Sequence, residues 1–188
     1  LMVRIFGGAT AAQIVQMDGL AKKGVQRTEI IETLSMLSFG SENPALVSVK
    51  AIDPSIYPFY GEVKLVPPQA LRSLLDDRTV AVSDDLPPRL NVRVGDVVKI
   101  GVAEYRIGAV LGLEPDKMSG SLNVGPRVLM SRAGLDRAAL VAYGSREAHR
   151  YLFRLPVPGP GVEEIRGELK KTFPDALIVD FREINPNI

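Results

Sequence analysis

The chain has 188 residues, enough for one large domain or two small ones, and is 46% hydrophobic and 24% charged, as ordinary soluble globular domains are. Its 23 Lys and Arg against 22 Asp and Glu leave a net charge of +1, so no broad basic field exists to gather nucleic acid or anionic lipid. No cysteine is present, which excludes disulfides, thiolate metal sites and a cysteine nucleophile, and no apolar run reaches the ~18–20 residues that span a bilayer.

LMVRIF at the start reads as a strand, and its opening on Leu1-Met2 fits a piece of something longer. GGATAAQIVQMDGLAKKG follows, with capping-box spacing between Thr10 and Gln13. Ile14, Met17, Leu20 and Ala21 form the expected buried stripe of a helix, Lys22 and Lys23 suit its negative end, and Gly24 is the expected C-cap. Residues 27–39 and 45–53 then read as strands.

From residue 54 the pattern changes. AIDPSIYPFYGEV packs Pro54 and Pro58 beside Tyr57, Phe59 and Tyr60, concentrating rings where proline forbids a regular ladder. Short β-like runs follow, VKL, TVAVS, VVKIG, YRIGAVLGL and RVLMS, with PPQALRSLL as a short helix opening on proline. This middle stretch predicts a small sheet or barrel. Near the end the strand–helix–strand order returns as YLFRLP, a stripe of Val162, Ile165, Leu169 and Phe173, and ALIVDF. The helix is expected over 162–172, with Glu163 and Glu164 at its start and Lys170 and Lys171 at its end.

No catalytic constellation emerges. His149 is the single histidine, and a lone histidine without a nucleophile elbow is expected on a surface or strand edge. Gly7-Gly8 lacks both the Walker lysine spacing and the dinucleotide fingerprint, so a tight strand-to-helix turn explains it. Glu114-Pro115-Asp116 lacks the alternating oxygen ligands of a calcium loop. The sequence thus assigns no catalytic residue, cofactor or metal; the rival reading is a hydrolase or small-ligand-binding domain using Glu114, Asp116 and His149.

Four motifs in order carry a resemblance: LVSVKAID leading into YPFYG, VRVGDVVKIGVAEYRIGAVLGLEPD, GPRVLMS with the following GLDRAALVAYGSREAHRYLFRL, and IVDFREINPNI. Together they resemble the extracytoplasmic domains of ABC-transporter permeases of the FtsX-like superfamily, above all YbbP-type permeases, relatives of the MacB group. The resemblance implies an α+β fold, with a porter-like part of two βαβ units from the chain ends (residues 1–53 and 146–188) and a β-rich, sabre-like insert (residues 54–145). It implies a periplasmic domain of an inner-membrane protein, joined through membrane helices beyond both ends to a cytoplasmic ABC ATPase. Lipid, lipoprotein or envelope-protein partners follow, and no nucleic acid. Tyr57, Phe59, Tyr60 and Glu114 become candidates for an inter-subdomain or partner surface. Asp180, Arg182 and Asn185 become the membrane-proximal exit, with Leu1 expected on the same side as Ile188.

Overall fold

The structure is a computed structural model that describes residues 1–41, 43–115, 124–142 and 145–180. The chain folds into two compact units, Leu1–Ile30 with Ala148–Ile188, and Ile31–Glu147. The division falls inside one long strand, β2 (Gln26–Ser38).

In the first unit, β1 (Met2–Phe6) lies between β9 (Ala148–Arg154) and β10 (Leu177–Val179), antiparallel to both. β9 and β10 are therefore parallel to each other, and α5 (Val162–Thr172) is their crossover, a split βαβ. β1 and β2 likewise flank β9, joined through α1 (Ala11–Gly19). α5 ends where Pro174 prevents its continuation, and its acidic first turn and basic last turn oppose the backbone dipole favourably. Ile165 and Leu169 are fully buried with Val3, Tyr151 and Phe153, each such side chain contributing about 1.5–3 kcal/mol by leaving water.

The capping box at Thr10 forms as the spacing predicts. The buried stripe of α1 does not. Met17 and Leu20 are buried, but Ile14 is 40% exposed and Ala21 is exposed. Gln13 takes the inward position instead, donating from Nε2 to the Thr172 carbonyl of α5 at 3.1 Å. Helical rotation then turns Ile14 outward, and a tighter 3-10 turn over Leu20–Lys23 rotates Ala21 away. Gly24 closes that turn at φ 77°, a backbone state only glycine adopts without strain.

The second unit is a closed ring of six strands. The end of β2 pairs with β3 (Ala45–Ile52), and β3 runs parallel to β8 (Arg127–Ser131). β8 pairs with β5 (Thr79–Ser83), and β5 with β7 (Ala103–Leu113). β6 (Val97–Ile100) pairs with both β7 and β2, which closes the ring. β4 (Lys64–Val66) adds to the outer side of β7. Alternate side chains fill the interior: Ile31 and Leu37, Val47 and Val49, Val80 and Val82, Val128 and Met130, Ile107. Leu86 and Leu90 from α3 (Leu86–Leu90) and Leu135 and Ala138 from α4 (Arg132–Ala138) complete that core. Neither short helix stands out in the sequence. α3 carries two prolines near its start, and α4 begins where the Ser131 side chain caps the Gly134 N–H directly at the end of a strand. Short α2 (Leu71–Leu74) forms within PPQALRSLL, but it opens at Leu71 after Ala70 rather than on the prolines.

Candidate functional site: a buried ion network beneath the YPFYG loop

Strand alternation sends half of each barrel strand's side chains outward. On β2, β3 and β8 these outward positions hold Glu32, Ser48, Lys50 and Arg127, and register places Glu32 opposite Lys50 and Ser48 opposite Arg127. All four are buried, with Lys50 and Glu32 at 0%. Two segments following the barrel strands cover them.

The first is the YPFYG loop. Asp53 opens it: its carboxylate accepts from the Ser55 N–H at 2.9 Å and from the Ser55 hydroxyl at 2.6 Å, and its carbonyl accepts from the Tyr57 N–H at 2.9 Å. That tight turn directs Tyr57 inward, where its hydroxyl accepts from Lys50 Nζ at 2.8 Å and its ring lies 4.6 Å from the ammonium. The second is the end of β7, where Glu114 Oε1 meets Lys50 Nζ at 2.5 Å and Oε2 lies 3.6 Å from Arg127 Nε. Gly61 ties the two segments together. It sits at φ 75°, and a Cβ there would fall 2.5 Å from Pro115 Cβ.

Arg127 completes the cluster. Its Nη1 lies 3.1 Å from Glu32 Oε1 and donates to Ser48 Oγ at 3.1 Å, while its backbone N–H donates to Ser83 Oγ at 2.7 Å. Two cations thus face two carboxylates, and the hydroxyls of Tyr57 and Ser48 accept further hydrogen bonds from Lys50 and Arg127. Such a neutral, dry network gives geometric uniqueness more than net stability. Chemically it can fix two loops against three strands. Its charges are committed to one another, and nothing in it marks a nucleophile with a base.

The first unit contains a separate polar cluster. His149 Nδ1 lies 2.6 Å from Glu29 Oε1, and since a carboxylate only accepts, Nδ1 carries the proton. Tyr151 stacks beside the imidazole, and its hydroxyl accepts from the Ala9 N–H at 3.1 Å. Burial, then the charge of Glu29, pushes the Tyr151 phenol up to about 12 against the opposing hydrogen bond from Ala9. Gly8 closes over the imidazole: a Cβ there would stand 3.3 Å from Nε2.

No protein-family model matches the chain. Over 125 residues, 64% of this chain, it is 35% identical to the uncharacterized ABC transporter permease YbbP of Escherichia coli strain K12, of whose length the match is 15%. The fold matches the periplasmic region of MacB from Actinobacillus actinomycetemcomitans with a TM-score of 0.61, at 14% identity, covering 100% of this chain and 93% of that one. The extracellular domain of the ABC-type transporter YknZ from Gram-positive bacteria matches with a TM-score of 0.55, at 13% identity, over 92% of this chain and 90% of that one. The chain thus has the fold of the MacB periplasmic region and is similar in sequence to part of an ABC transporter permease. It spans only a small part of the permease it matches in sequence.

Within this domain the expected residues separate. Tyr57 and Glu114 meet through Lys50, whereas Phe59 is half-buried and Tyr60 is 40% exposed. His149 is neither on the surface nor at a strand edge, because β9 lies between β1 and β2 in its sheet. Of the rival trio, Glu114 is engaged by Lys50 and Arg127 and His149 by Glu29, while Asp116 lies outside the described residues. Asp180 is buried, and the pairing of Met2 with Val179 sets it beside Leu1. Arg182, Asn185 and Ile188 lie outside the described residues. Among those residues no helix is long and apolar enough to cross a membrane, and no cluster of His, Asp and Glu could hold a metal ion. Sequence reasoning passed over Lys50, Glu32 and Arg127. The signal was available: each is a full charge within an otherwise β-like run, ALVSVKAI, EIIETL and RVLMS.

Proposed function

We propose that this domain is a non-enzymatic coupling element, moved by the membrane helices of an ABC permease as a cytoplasmic ATPase turns over, and acting on a lipid, lipoprotein or envelope protein outside the membrane. The observation that carries this reading is the pairing of β1 with β10. Met2 opposite Val179 brings Leu1 and Asp180 to one end of their unit, where two flanking membrane segments could both attach. Between them the chain encloses a barrel whose loops are clamped by a buried ion network, a body suited to moving as one piece. The absence of a phosphate-loop pattern in the sequence fits ATP hydrolysis by another subunit.

The test uses the complete permease with its ATPase. Lys64 is exposed on β4, and the chain has no cysteine of its own, so Lys64→Cys offers a unique handle within the domain. A membrane-impermeant maleimide should label it without entry to the cytoplasm, and the labelling rate should change during ATP turnover. Labelling that requires disruption of the inner membrane, or a rate indifferent to ATP, defeats the proposal.

A further inference from the structure

Among the described residues β10 pairs only with Met2, Val3 and Arg4, and on that side of β1 no strand pairs with Ile5 and Phe6. An open groove of about 400 Å³ occupies that gap, lined by Arg4, Phe6, Gln13, Phe173, Pro174 and Leu177 among others. Phe6 and Leu177 are 65% and 56% exposed, an unusual state for two large apolar residues on adjacent strands of one unit. Arg4 is the cation of the groove. Its guanidinium lies 5.0 Å from the Phe6 ring, its Nε is buried without a hydrogen-bond partner, and it forms no ion pair among the described residues. Asp175 also lines the groove but is not paired with Arg4. Directly opposite Arg4 in β9 stands Arg150, which has partners of its own.

We propose that this groove binds a compact anionic amphiphile, a phosphate or carboxylate head on a short apolar body. The head would take the bidentate fork of Arg4, and the body would lie along Phe6, Pro174 and Leu177. A peptide strand fits less well. The unpaired edge is two residues long before Gly7 and Gly8 turn away at φ 76° and 75°, whereas strand addition uses a longer run of main-chain pairing. The volume lies within the usual range for small-molecule sites. The inference rests on the first unit alone and stands apart from the coupling role, so a coupling failure leaves it intact.

Octyl phosphate, below its micelle concentration, is the probe, and amide chemical shifts in the 188-residue domain are the readout. Saturable shifts should centre on Arg4, Phe6 and Leu177. Inorganic phosphate and octyltrimethylammonium, each missing one half of the proposed chemistry, should bind about tenfold or more weakly. Arg4→Gln should weaken octyl phosphate by a similar factor and Arg4→Lys by less. The exposed Phe6→Ser serves as the second variant, one that leaves the fold intact by thermal melting and still weakens binding. Phosphatidylglycerol vesicles should not shift these amides, because the apolar body must leave the bilayer to enter the groove. Equal binding by Arg4→Gln or by the cationic probe, shifts centred elsewhere, preference for an acidic apolar peptide, or binding to vesicles alone would each overturn the proposal.

Discussion

In the barrel unit four full charges, Glu32, Lys50, Glu114 and Arg127, are buried on the outer side of the strand ring and balanced two against two. In the split βαβ unit the His149–Glu29 pair and the Tyr151 phenol pack where strand meets helix, and the two further buried charges, Arg150 and Asp180, stand elsewhere in that unit. The difference teaches where each unit obtains its shape. Helices cover the βαβ sheet with apolar stripes, so polar groups there need only be satisfied. A barrel filled by its own strands has nothing apolar left to anchor long loops on its outer side. Here that anchoring falls to ion pairs, which tolerate one geometry and oppose the rest.

The sharpest way to break this comparison is to unbalance the network. Lys50→Met leaves two carboxylates against one cation in a dry site and should destabilise the barrel unit by about 3–5 kcal/mol in urea unfolding. Adding Glu114→Gln restores the balance and should recover most of that loss. Hydrogen exchange should place the damage between Ile31 and Glu147. Equal loss of protection along the βαβ strands would erase the distinction between the units.

Gly61→Ala probes the same clamp without touching a charge. The new Cβ meets Pro115 at 2.5 Å from a backbone at φ 75°, so either the YPFYG loop or the segment after Glu114 must move. A loss of about 2–3 kcal/mol is expected, with faster exchange at Tyr57 and Glu114. Stability unchanged within error would show that Gly61 is not the tie between those loops. Tyr57→Phe should cost less, about 1–2 kcal/mol, since the ring stays over the ammonium and only the hydroxyl hydrogen bond is lost. A larger loss than from Gly61→Ala would reverse the ranking of hydrogen bond and loop contact.

How far the sequence speaks depends on how local the cause is. The 162–172 helix, the Thr10 capping box and the RVLMS strand are set by neighbours within a few residues, and each forms where the pattern predicts. Ile14 fails because its exposure is decided at Thr172, far along the chain, where Gln13 finds its partner. YPFYG and Glu114 were legible as unusual, but what joins them, Lys50, became visible only once β3 had a register. No local pattern says which face of β3 a lysine takes, or that a fully buried Glu32 lies across from it.

The smallest expected effect lies in the βαβ unit and shows itself only in alkali. Tyr151 titrates near 10 in the unfolded chain and near 12 in the folded domain, because burial first and the Glu29 carboxylate second disfavour the phenolate. Below pH 10 the phenol is protonated in both states and its contribution to stability is fully present. Between pH 10 and about 12 the unfolded chain releases the proton while the folded domain retains it, so stability falls as pH rises through that window. Tyr105 in the barrel unit, also raised by burial against the pull of Arg137, adds to the same slope. Tyr151→Phe should therefore flatten part of the alkaline loss, at a cost near neutrality of about 1 kcal/mol or less for the hydrogen bond from Ala9. Urea midpoints from pH 8 to 12 for the two proteins measure it. Parallel curves would mean that Tyr151 ionises alike in both states, and the tightly packed cluster of Glu29, His149 and Tyr151 would then be open to water.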